Sequence, residues 1–169
     1  MWIDRVVELV PRQKIVTLKN ISLAEEHLHD HFEAETDAAG VHHAALPIMP
    51  SSLIVEGMAQ SAGILVGHAE QFSQKVALAK IGKAEFDFDA VPGQTLIYTA
   101  TIQNLDRAGA STQGTVEVLD HVRGDRRPMG RIDLLFSHLD NNMAGLSFPE
   151  GNFVFGEAFK TLLRTSGIV

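Results

Sequence analysis

From Ser51 to Phe72 the chain reads as one long helix that is apolar at every angle of the helical wheel. The run Leu53-Ile-Val-Glu-Gly-Met-Ala-Gln-Ser-Ala-Gly-Ile-Leu-Val66 has no proline and one charge, Glu56. A helix that is apolar all round is expected to be buried all round. A chain of 169 residues then has to build its remaining structure around that helix. Gly57, Gly63 and Gly67 lower helix propensity, so their presence predicts that other groups approach the backbone closely there.

The second half supplies something to do the wrapping. Ala84, Phe86 and Phe88 alternate with Lys83, Glu85, Asp87 and Asp89. Leu96, Tyr98, Ala100 and Ile102 alternate with Thr95, Thr99, Thr101 and Gln103, and Ile132, Leu134 and Phe136 with Arg131, Asp133 and Ser137. This period of two predicts about four antiparallel strands with one solvated face. Residues 3–10 and 14–22 predict two more, Leu23 to Phe32 a short helix capped by Ser22, and 33–46 a loop. The fold class is therefore α+β, an antiparallel sheet wrapped around one buried helix, which is the hotdog arrangement. Residues 1–140 form one domain, with 141–169 as an extension that includes an amphipathic helix from Glu157 to Arg164.

Composition narrows the chemistry. The absence of cysteine excludes disulfides, thiolate metal sites and thiol nucleophiles. A formal charge of −7 argues against nucleic-acid binding. The start, Met1-Trp-Ile-Asp-Arg5, does not resemble an export signal, and the uncharged stretch 38–55 holds two histidines and two prolines, so a cytoplasmic protein without a membrane span is expected. Five of the eight histidines (His27, His29, His31, His42 and His43) crowd into seventeen positions. Histidine titrates near neutrality and ligates metals, so this cluster is where chemistry is expected. His27 and His31 at i, i+4 form the nucleus of a metal-site alternative, but no further ligand set is evident. The other candidate is Glu56, a carboxylate among apolar neighbours, with Gln60 one turn on.

Together these residues resemble a family. Pro47-Ile-Met-Pro-Ser-Ser-Leu-Ile-Val-Glu-Gly-Met-Ala-Gln60 is similar, without a gap, to a segment of the β-hydroxyacyl-(acyl carrier protein) dehydratases of the FabZ type. His31-Phe32 resembles the start of that family's H-F-P-G motif, Ile3-Asp-Arg-Val6 its opening, and Phe86 to Gln94 a later stretch ending in Pro-Gly. The resemblance implies dehydration of (3R)-hydroxyacyl thioesters to trans-2-enoyl thioesters in fatty-acid or related lipid or polyketide synthesis. It implies His31 as base and Glu56 as acid, contributed to each site by different subunits of a homodimer or a trimer of dimers. In support stand Gln60, orienting Glu56, and Ser51 and Ser52 at the helix N-terminus, whose N–H groups face the thioester oxygen. Phe32, Met49, Phe86 and Phe88 are expected in the core or along the acyl tunnel. The partner implied is acyl carrier protein with its phosphopantetheine arm, or acyl-CoA. No cofactor and no metal are expected.

The chain departs from the family in three places. Glu33-Ala34 replaces Pro-Gly after His31-Phe32, residues 33–46 are an insertion, and Ser51-Ser52 replaces Gly-Val. The insertion brings His42 and His43 as alternative bases. An acyl thioesterase or a non-catalytic acyl-chain binder on the same fold is the alternative function.

Overall fold

The computed structural model describes residues 1–139 and 155–168. Strands β1 (Arg5–Val10) and β2 (Lys14–Asn20) form a hairpin, followed by the short helix α1 (Glu26–Asp30) and two two-residue strands, β3 (Glu35–Thr36) and β4 (His42–His43). Helix α2 (Ser51–Ala69) comes next. Then follow β5 (Lys75–Phe86), β6 (Gln94–Leu105), β7 (Gly109–Asp120), β8 (Asp125–Leu139) and helix α3 (Glu157–Thr165). Six strands make one antiparallel sheet in the order β1-β2-β6-β7-β8-β5, and β3 and β4 make a separate small hairpin.

The sheet curls around α2, which packs against β6, β5, β2, β7 and β8. Leu96, Tyr98 and Ala100 of β6, Val116 and Val118 of β7, and Ile132 and Leu134 of β8 present their buried alternate side chains to the helix face made by Ile54, Met58, Ala62 and Leu65. The period-two pattern expected along β6 and β8 and the hotdog arrangement are both present, whereas in β5 Ala84 is exposed like Glu85 and Phe88 lies beyond the strand, so the alternation expected there is absent. Two glycines of α2 mark close approaches. A methyl at Gly57 would sit 2.5 Å from the Tyr98 hydroxyl, and one at Gly67 would overlap the Phe155 ring. Between them, Thr17 and Ser61 share a buried 2.6 Å hydroxyl hydrogen bond that joins β2 to the helix.

Three sequence expectations change. Burial of α2 is not complete, because Ser51, Ser52 and Glu56 are exposed and Leu53, Val55, Gln60 and Gly63 half-buried. The helix from Leu23 shortens to Glu26–Asp30. Ser22 Oγ accepts the Ala24 N–H at 3.2 Å, and the Glu25 carboxylate accepts the Ser22 N–H, so this cap closes a turn rather than opening the helix. The loop 33–46 contains the β3–β4 hairpin, held by Asp37, which accepts the Ala39 and Val41 N–H groups and pairs with His43 at 3.0 Å. The His43 hydrogen bond and those backbone donors lower the Asp37 pKa.

At the C-terminal end, α3 matches the expected amphipathic helix. It buries Leu162 and Leu163 and lies along β1, where Ser166 Oγ accepts the Val6 N–H at 3.0 Å. The irregular tail expected from Asp140 falls, up to residue 154, outside the described residues.

Tyr98 is fully buried, and its hydroxyl has no hydrogen-bond partner among the described residues. Burial, with the Asp4 charge, raises its pKa far above the usual phenol value. An unpaired buried hydroxyl costs about 1–3 kcal/mol. Tyr98→Phe is therefore expected to stabilise the protein by about 1 kcal/mol, read as a rise in the urea midpoint with an unchanged m-value.

Candidate active site

His31 is the C-terminal cap of α1. Its N–H donates to the His27 carbonyl at 3.1 Å, and its half-buried ring lies 4.2 Å, centroid to centroid, from that of Phe32. Phe32 takes a left-handed φ of 67° and is 55% exposed, which corrects its expected place in the core. Its carbonyl accepts the Leu46 N–H at 3.0 Å. The segment 33–46 therefore begins and ends at nearly the same point.

Glu56 is also corrected. Its carboxylate is exposed in the single chain, because it projects from the uncovered side of α2. It is nevertheless held in place. Gln60 Nε2 donates to Glu56 Oε1 at 2.9 Å, and Gln60 Oε1 accepts the Trp2 backbone N–H at 2.9 Å. The Trp2 contact fixes which end of the amide faces Glu56, so the amide must present its NH2 group to the carboxyl. Oε1 of Glu56 is thereby engaged as an acceptor, and Oε2 is the oxygen left to exchange a proton. The orienting role expected for Gln60 has this geometry, whereas the part played by Trp2 was not legible, because any residue type supplies a backbone N–H.

The start of α2 is set by Pro50. Its carbonyl accepts the N–H groups of Leu53 and Ile54, at 2.9 and 3.2 Å. The N–H groups of Ser51 and Ser52 precede this first helical bond and point outward with the positive end of the helix dipole. Met49 is buried as expected, and its N–H donates to the Ala90 carbonyl at 2.8 Å. Phe86 and Phe88 are half-buried, and the Arg127 guanidinium lies 3.9 Å over the Phe88 ring. Arg126 beside it on β8 pairs with Glu117 of β7.

His27 does not meet His31 around an ion site. Its ring packs edge-on against Trp2 at 5.1 Å. Among the described residues no group of three or more ligating side chains is placed to hold a metal. No hydrogen bond or ion pair joins His31 to Glu56 within the described residues of one chain.

Beside Glu56 opens a cavity of about 250 Å³. One wall is α2, through Glu56, Ala59, Gln60 and Gly63, and the other is Val76 and Leu78 of β5 with Phe136 of β8. Phe155 and Phe159 close it. The sequence reading missed these two residues, although their i, i+4 spacing at the head of an amphipathic helix was a usable signal.

The FabA-like domain family matches residues 1–122. A 3-hydroxyacyl-[acyl-carrier-protein] dehydratase FabZ of Polynucleobacter necessarius is 35% identical over 110 residues, 64% of this chain and 66% of that one. Two solved structures share the fold. The dehydratase heterocomplex ApeI:P of Xenorhabdus doucetiae superposes with a TM-score of 0.55 at 14% identity, covering 83% of this chain and 84% of that one. The 4-hydroxybenzoyl CoA thioesterase of a Pseudomonas species does so with a TM-score of 0.55 at 13% identity, covering 81% and 94%. One fold thus carries both dehydration and thioester hydrolysis, and the choice between them has to come from the site. No described helix is long and apolar enough to cross a membrane.

Proposed function

The chain belongs to the FabA-like domain family, and on that premise we propose that His31 of one subunit and Glu56 of another carry out its reaction. That reaction is the dehydration of a 3-hydroxyacyl-(acyl carrier protein) to the 2-enoyl thioester in fatty-acid biosynthesis. The His31 imidazole removes a proton from C2. The Glu56 carboxylic acid gives its proton from Oε2 to the C3 oxygen, which leaves as water. One proton enters the imidazole and one leaves the carboxyl, and transfer between them or through solvent restores both. The thioester oxygen, where negative charge builds, meets the N–H groups of Ser51 and Ser52. The relay from the Trp2 N–H through Gln60 to Glu56 is the observation that carries this reading, because it readies one carboxyl oxygen on an open helix face.

A second subunit is needed for two reasons. His31 and Glu56 sit on separate elements, and the face of α2 that carries Glu56 is uncovered. Strand β5 is an edge that pairs only with β8 among the described residues, and it exposes Leu78 and Ile81. A two-fold copy joined along β5 covers that face. A cytoplasmic dimer acting on acyl carrier protein is part of this proposal.

The deciding experiment offers 3-hydroxyacyl and saturated acyl thioesters to the purified protein. An enoyl product without free thiol is expected, whereas thiol release without enoyl product identifies a thioesterase. Gln60→Met removes the amide but keeps the volume. It is expected to lower kcat about tenfold with little change in KM, the effect of one lost hydrogen bond in the transition state.

A further inference from the structure

We propose that the C-terminal aromatic pair Phe155 and Phe159 is the floor of the acyl channel that begins at Glu56, and that it restricts this dehydratase to short and medium-length 3-hydroxyacyl chains. The inference rests on the assignment of Glu56 to the reacting end of the substrate.

The channel has a direction. Glu56, Gln60 and Gly63 follow one another at helical spacing along the open side of α2, and Gly67 comes one turn on, where that side becomes buried. Seven residues separate Glu56 from Gly63, or about 10 Å along the axis, and eleven separate it from Gly67, or about 16 Å. A chain attached at the Glu56 end has to run past Gly63. There it finds room, since a methyl at Gly63 would meet only Phe136, at 3.8 Å. One turn further it meets Phe155, whose ring occupies the space that the missing side chain of Gly67 leaves.

The floor is built rather than draped. Phe155 is buried and packs edge-on against Phe72 at 4.9 Å and against Phe159 at 5.7 Å. Helix α3 pins it in place through buried Leu162 and Leu163 and the Ser166 hydrogen bond to β1. The space above is about 250 Å³, below the ~300 Å³ at which pockets for drug-sized ligands begin. Both phenylalanines lie beyond residue 122, where the family match ends.

The test measures kcat/KM for 3-hydroxyacyl thioesters from butyryl to palmitoyl in the full-length dimer and in three variants. The wild type is expected to lose efficiency steeply beyond medium lengths. Phe159→Ala and the milder Phe155→Leu are expected to raise the palmitoyl-to-butyryl ratio at least ~10-fold, since each methylene accommodated or refused in an apolar pocket is worth that much or more. Gly63→Val, which fills the channel above the floor, is expected to shift the ratio the opposite way. A wild type that handles palmitoyl as well as butyryl chains overturns the floor while leaving the assignment of Glu56 intact. So does an unchanged ratio in folded Phe159→Ala and Phe155→Leu proteins. No dehydration at any length overturns both.

Discussion

His31→Ala and Glu56→Gln are each expected to lose ~10²–10⁴-fold in hydration of a crotonyl thioester, the range by which a positioned acid or base accelerates proton transfer. Neither change is expected to move thermal unfolding appreciably, because Glu56 is exposed and the His31 ring half-buried. The sharper result comes from mixing the two inactive proteins under conditions that exchange subunits. A mixed dimer has one site with both mutations and one with neither, so half the sites of every mixed dimer regain activity. Recovery shows that the two groups of a site come from different chains. Mixed dimers isolated by differential tags that stay inactive sink the assignment, whatever the single variants do.

Lys19→Met is expected to cost about 2 kcal/mol at neutral pH. The Lys19 side chain is only 6% exposed, and its ammonium lies 2.6 Å from Glu25 and 3.6 Å from Asp4 while also donating to the Asn20 carbonyl. Asp4 in turn accepts the Asn20 N–H at 2.6 Å. One cation thus ties the entry to β1, the end of β2 and the turn that leads into α1. Breaking one partner of a buried pair costs 3–5 kcal/mol, and the lower figure here reflects the partial exposure of both carboxylates. The loss has a signature in pH. Burial raises the Glu25 pKa, but the hydrogen bonds from Lys19 and the Ser22 N–H and the Lys19 charge outweigh it, and the folded pKa lies below the ordinary glutamate value. A depressed carboxylate stabilises the fold above its unfolded pKa, and that contribution disappears as the pH falls through the lower folded value. Wild type and Lys19→Met are therefore expected to differ most near neutrality and to converge as Glu25 protonates. A gap in urea-derived stability that stays constant on acidification contradicts the ion-pair origin. Because α1 presents His31 at its C-terminal cap, the same variant is also expected to lower kcat in protein that remains folded.

Local pattern carried most of the fold. The alternation along β6, β7 and β8 and the apolar run of α2 were visible because each element buries its own face against the same centre. The failures have physical causes. Glu56 was expected to be buried because it sits between Val55 and Met58 in an apolar run, yet its own position faces a side of α2 that one chain leaves open. Apolar residues that will meet a second copy look the same, in sequence, as residues that meet the first. Helix α1 came out short because Ser22 and Glu25 close a turn on themselves, and a cap pattern does not say which turn it serves. Strands of two exposed residues have no alternation to read, so β3 and β4 were invisible, although Asp37, Gly40 and the following histidines contained the turn chemistry. Phe155 was missed for a different reason. Its partner is the absent side chain of Gly67, and a gap filled from far along the chain leaves no local mark.

The two edges of the sheet have different fates. β1 lies under α3, while β5, among the described residues, faces outward with twelve residues of backbone on offer. A sheet with two bare edges can recruit copies at both ends without limit, which is the geometry of a growing fibril. A sheet with one bare edge is a monovalent unit. In the two-fold pairing proposed above, β5 takes one mate and that sheet edge is then used up. The C-terminal helix thus caps more than a flank of the subunit. In the proposed pairing, it leaves β5 as the edge that takes the partner.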